Sequence, residues 1–174
     1  MSSPGSGEQP ESSADSFPER GRLLGVDFGT KRVGLALSDP GQLIASPLEI
    51  LQRSSPVAES RRYRDLVEEM GIVGIVVGLP MHVSGAEGAS ARAAREYAGW
   101  LHRTVQRPIM FWDERYTSAV AEERLLEVDV SRKRRKKLLD KLAAQIFLQS
   151  YLDEKNRRLQ EVEESEDEDG DESE

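Results

Sequence analysis

The chain contains no cysteine and only two histidines, His82 and His102. The first absence excludes disulfides and thiolate zinc sites. The second leaves too little imidazole for a histidine-built metal centre. No apolar run approaches the roughly 18 residues needed for a membrane-spanning helix. Residues 1–20 have neither the apolar core of a secretory signal nor the arginine-rich, acid-poor character of a transit peptide. These absences predict a soluble, cytoplasmic protein with no membrane partner, and 174 residues suffice for one domain with a full core.

Charge is plentiful but unevenly placed. Of the 32 acids, ten fall in residues 161–174 and four in residues 1–20. The other 18 share residues 21–160 with 23 of the 24 bases, so this middle carries +5 although the whole chain is −8. Much of the excess lies in the run Arg132-Lys133-Arg134-Arg135-Lys136-Lys137. A basic body between acidic ends suits a nucleic-acid partner. Residues 1–20 and 156–174, poor in apolar side chains, are expected to be disordered tails around one domain at 21–155.

Within that domain, apolar runs at Leu23–Phe28 and Val33–Leu37 flank a short Gly29-Thr30 turn, which predicts an antiparallel hairpin. A third strand is expected at Leu43–Leu51, then a helix opened by Pro56. Ile72–Val77 predicts a strand buried on both faces. An alanine-rich helix to about Arg103 and a strand at Ile109–Trp112 follow. Thr117 or Ser118 caps a helix through Leu126, and Ser131 caps a last one reaching about Glu154. Three antiparallel strands followed by alternating helix and strand predict an α/β fold, a mixed sheet flanked by helices.

Three carboxylates stand at telling places. Asp27 ends the first apolar run, Glu114 follows the last, and Asp140 lies within the final helix. Each has an ordinary explanation alone: a turn-binding polar residue, a partner for Arg115, and an ion pair with Lys136 or Lys137. Together they form a self-repelling cluster that Mg²⁺ or Mn²⁺ would neutralise, a site for phosphodiester hydrolysis. In the last helix Asp140 shares a band with Ala144, Phe147 and Tyr151, and the small Ala143 and Ala144 permit close approach to the sheet. The candidate nucleic-acid contacts are Lys31, Arg32, Arg115, Lys133, Lys136 and Lys137. Gly78, Gly85 and Gly88 suit either a phosphate-binding loop or a plain strand-to-helix connection, and His82 reads as a bystander. Tyr116 is a candidate to stack on a base or cover the site, whereas Trp112 reads as core.

Four segments resemble the YqgF/RuvX family of bacterial proteins, described as Holliday-junction-resolvase-like or pre-16S ribosomal RNA nucleases. They are Asp27-Phe28-Gly29-Thr30-Lys31-Arg32-Val33-Gly34, Val77-Gly78-Leu79-Pro80, Asp113-Glu114-Arg115-Tyr116-Thr117-Ser118, and Asp140-Lys141-Leu142-Ala143-Ala144. The resemblance implies an RNase H-like fold and a metal-dependent nuclease, with Asp27, Glu114 and Asp140 matching the family's catalytic acids. Related resolvases often add a fourth carboxylate near the last, and none stands three or four residues from Asp140. RNA as substrate, and ribosomal precursor particles as partners, are implied by the resemblance alone. The alternatives are a junction resolvase on branched DNA and a non-catalytic binding module. The residues leave monomer or homodimer open and offer no clear dimer surface.

Overall fold

The turn after Asp27 is too short for a crossover, and the strands either side of it pair antiparallel. The computed structural model describes residues 17–115 and 132–169, with side chains of the last helix described over 142–165. Its five strands are β1 (Arg22–Asp27), β2 (Arg32–Ser38), β3 (Ala45–Gln52), β4 (Ile72–Leu79) and β5 (Ile109–Asp113). They form one sheet in the order β3-β2-β1-β4-β5. The β1–β2 and β2–β3 pairs are antiparallel, and the β1–β4 and β4–β5 pairs parallel. This is the mixed sheet expected from the sequence, with β1 at its centre.

The helices among the described residues are α1 (Pro56–Met70), α2 (Ala89–Val105) and α3 (Arg132–Asp169). Ser55 caps α1 by accepting from the Ala58 N–H at 3.2 Å, and left-handed Gly71 ends it. The expected helix from Thr117 or Ser118 to Leu126, the Ser131 cap and Tyr116 lie outside the described residues.

Strand alternation sorts the core into two layers. Leu24, Val26, Ile75 and Val77 face α1 and α2, packing with Tyr63, Leu66, Tyr97 and Leu101. Leu23, Ala36 and Val76 face α3, packing with Ala144, Phe147, Leu148, Tyr151 and Leu152. The band of α3 expected to carry Asp140 is thus the one the sheet buries, while Leu142 and Ile146 are half-buried. Leu148 and Leu152 are fully buried, each contributing about 2 kcal/mol relative to exposure.

α3 continues well past the expected end near Glu154. Arg157 pairs with Glu154 and Glu161, and Arg158 with Glu154, at helical spacing. Each pair adds a few tenths of a kcal/mol, in a stretch rich in strong helix formers. Acidic composition suggested a tail, but these local pairs favour helix.

Candidate active site

Parity decides where the acids go. On β1, Leu23 and Gly25 face α3, so Asp27 belongs to the same face. On β4 the α3 face carries Val76 and therefore Gly78; on β5 it carries Met110 and Trp112 and, next in phase, Glu114. The parallel pairing of β1 with β4 and of β4 with β5 places the carboxyl ends of all three strands side by side. Asp27 and Glu114 thereby come to one end and one face of the sheet, outside the carboxyl ends of its parallel strands.

Local contacts then fix Glu114. Its N–H donates to the Leu79 carbonyl at 3.0 Å, prolonging the β4–β5 ladder by one bond. Its carboxylate lies over Gly78, where an added Cβ would be 2.5 Å from Oε1. Burial, then repulsion from Asp27 and Asp113, pushes the Glu114 carboxyl from its usual 4.5 up to about 7.

The helix reaches the same place. An added Cβ on Gly34, the register partner of Asp27, would meet Ala144 Cβ and Asp27 Cβ, each at 3.5 Å. One at Gly25 would lie 3.0 Å from Leu148 Cβ and 3.4 Å from the Ala144 carbonyl oxygen. Bare backbone on β1 and β2 is what lets α3 settle this closely. Asp140 stands one turn before Ala144 in α3, and its side chain lies outside the described residues.

The other expected contacts are distributed unevenly. Lys31 and Arg32 are exposed at the Asp27 end of the sheet. Arg115 is committed elsewhere: it holds Asp113 through Nε and Nη2, the latter at 2.6 Å, and reaches the Val83 carbonyl. That guanidinium pulls the Asp113 carboxyl below the usual range. The side chains of Lys133, Lys136 and Lys137 lie outside the described residues. His82 closes its loop through backbone bonds with Ala86 and Gly85. Glu87, just before the α2 cap, is paired with Arg95, which places an acid where a phosphate-binding loop would need none. Trp112 packs against the α3 layer, as a core residue would.

Sequence reasoning missed two parts. Gly78 reads as a source of backbone N–H groups, yet its lack of a side chain is what seats Glu114. A buried polar network behind Phe28, built from Arg53, Glu59, Tyr63 and Tyr97, also went unread. Glu59 sits in the first turn of α1, where an acid is commonplace.

Among the described residues no three potential ligands cluster to hold a metal. The donor set nevertheless fits one. Carboxylate oxygens are what Mg²⁺ and Mn²⁺ take, and a buried acid raised by a neighbouring acid is the setting a dication relieves.

The sheet order β3-β2-β1-β4-β5 with helices on both faces is that of an RNase H-like fold. Residues 21–154 match the family model described as "RuvX: Holliday junction resolvase". A protein of Paracoccus denitrificans (strain Pd 1222) is 41% identical over 146 residues, covering 84% of this chain and 92% of that one. One from Rhodopirellula baltica (strain DSM 10527 / NCIMB 13988 / SH1) is 39% identical over 139 residues, 80% of each chain. Both are named "Putative pre-16S rRNA nuclease". Among solved structures, T. thermophilus RuvC in complex with Holliday junction substrate aligns with a TM-score of 0.48 at 18% identity, over 75% of this chain and 93% of that one. The chain belongs to the RuvX family. Among the described residues, no helix is long and apolar enough to cross a membrane.

Proposed function

We propose that the chain is a metal-dependent endonuclease that hydrolyses phosphodiester bonds in RNA, acting in 5′-end maturation of pre-16S ribosomal RNA. The observation that carries this reading is the seat of Glu114. A half-buried carboxyl, raised to about 7, is held against its own repulsion from Asp27 and Asp113. Holding acids together against their repulsion costs stability, and perturbed acids in such places cluster at functional sites.

Asp27, Glu114 and Asp140 would hold Mg²⁺ or Mn²⁺. When bound, the ion supplies charge neutralisation at the phosphate and lowers the pKa of water. The residues do the rest. The ladder bond to Leu79 fixes Glu114 along β5, and Gly78 gives its carboxylate room. Asp27, on the central strand and interacting with Glu114, would bridge the other two acids. α3 shields this face from solvent and brings Asp140 toward it. Lys31, Arg32, Lys133, Lys136 and Lys137 would contact phosphates, whereas Arg115 first has to leave Asp113.

The names of the relatives point to ribosomal RNA, and the description of the family model points to branched DNA. One experiment separates them. Purified protein is incubated with a precursor 16S ribosomal RNA fragment and with a four-way DNA junction, in Mg²⁺, Mn²⁺ or EDTA, beside Asp27→Asn. Cleavage of the RNA that needs metal and vanishes in the variant is expected. Cleavage of the junction alone would move the reading to a resolvase. Metal-independent binding without cleavage of either would leave a non-catalytic module.

A further inference from the structure

Behind the turn that follows Asp27 lies a charge that the proposed chemistry does not use. Glu59 is only 2% exposed, and a lone carboxylate there would cost several kcal/mol. It is fully partnered: Arg53 Nε donates to its two oxygens at 3.0 and 3.2 Å, the Ser54 N–H at 2.8 Å and the Tyr97 hydroxyl at 3.3 Å. The Tyr97 hydroxyl also lies 2.9 Å from that of Tyr63.

This network fixes Arg53 in position and in plane. Its guanidinium carbon sits 5.3 Å from the Phe28 ring centroid and 4.9 Å from that of Tyr97. Its own N–H donates to the Lys31 carbonyl at 3.0 Å, and it directly follows Gln52, the register partner of Arg32. Arg53 therefore shares with Lys31 and Arg32 the corner of the sheet beside Asp27. Glu59 engages Nε; among the described residues the outer edge of the fork has one long contact, Nη1 to the Gly29 carbonyl at 3.5 Å. The side chain remains 29% exposed.

A buried ion pair is weak evidence for stability, because packed apolar residues of similar volume often serve as well. What this one secures is orientation. Lysine would not suit the place: lying flat over a pair of packed aromatic rings and leaving one edge of a planar fork for a second acceptor are properties of arginine. We propose that Arg53 contacts a phosphate of the nucleic-acid substrate next to the Asp27 turn, with Glu59 as the positioning residue that holds its fork. This inference rests on the nuclease reading for its substrate class but not on catalysis. Lys31 and Arg32 are exposed at this corner, and Arg53 is held there by the buried Glu59.

The test separates charge from bracing. Arg53→Ala would strand a buried carboxylate, so the informative variant is the double exchange Arg53→Gln with Glu59→Gln, which keeps hydrogen-bonding groups on both sides without charge. Binding of a labelled single-stranded fragment from the 5′ end of precursor 16S ribosomal RNA is followed in EDTA from 50 to 300 mM salt, using the full chain. Losing one phosphate contact should lower the salt slope by about 0.7 and weaken binding about tenfold. Arg53→Lys, which keeps the charge, should keep the slope and lose affinity a fewfold. An unchanged slope and affinity in the double variant, with its melting temperature preserved, would reduce Arg53 to a brace and overturn the inference. Salt-independent binding by the wild-type protein would overturn it too, whereas failure to cleave RNA would touch only the nuclease reading.

Discussion

The carboxylate of Glu114 occupies the space that a side chain on Gly78 would need, with Oε1 2.5 Å from where its Cβ would stand. Gly78→Ala must therefore push Glu114 away from Asp27 or bend the end of β4. The expected result is a loss of metal-dependent cleavage of about a hundredfold, since misplacing a reacting group by an ångström costs that much. Circular dichroism should change little. A variant as active as wild type would separate Glu114 from the chemistry.

The raised carboxyl also predicts a pH signature. Glu114 titrates near 4.5 when unfolded and at about 7 when folded, so between these values the folded state holds the extra proton. Its contribution to stability is present below 4.5 and is lost as pH rises to about 7. In EDTA, Glu114→Gln should gain melting temperature relative to wild type across that window and hold the gain above it. Parallel profiles would contradict the burial of this group.

In the proposed metal-dependent reaction, the ion would compete with that same proton. Mg²⁺ or Mn²⁺ affinity should strengthen as pH rises and level off above about 7. Binding at pH 6 should release close to one proton, and Glu114→Gln should release none. Calorimetry in two buffers of different ionisation enthalpy reads this directly.

The seat of α3 on β1 has no slack. An alanine at Gly25 would put its Cβ 3.0 Å from Leu148 Cβ. Gly25→Ala should cost about 1–3 kcal/mol through overpacking, seen as a lowered denaturant midpoint. Pairing it with Leu148→Ala should recover part of the loss, because the two share one contact.

The Arg53–Glu59 pair should respond unequally to loss of either partner. Glu59 is wholly buried and Arg53 is not. Arg53→Met leaves a buried carboxylate unpaired and should cost about 3 kcal/mol, the low end for broken buried pairs. Glu59→Gln leaves an arginine that still reaches water and should cost clearly less. Equal losses in urea unfolding would contradict this account.

Much of the molecule was legible in the chain. Pro56, the Gly29-Thr30 turn and the β-branched run at Ile72–Val77 each marked an element that the structure contains. Local chemistry governs such features, so a single sequence states them. The convergence of Asp27 and Glu114 was inferred from strand ends, but its cause is parity across three strands, which depends on register. The Glu59 network was illegible for a related reason. Its partners come from the end of β3, from α1 and from α2, and no spacing ties Arg53 to Tyr97. The length of α3 was misjudged because acidic composition outweighed the local Arg–Glu pairs.

One layer of the core depends almost entirely on α3, which is also the last described element to leave the ribosome. Strands and the first two helices can begin to fold during synthesis, as amino-terminal segments do. The other face of the sheet then stays bare until residues 144–152 emerge. Asp140 arrives with them. A nascent chain would thus carry Asp27 and Glu114 before the helix that covers their face of the sheet.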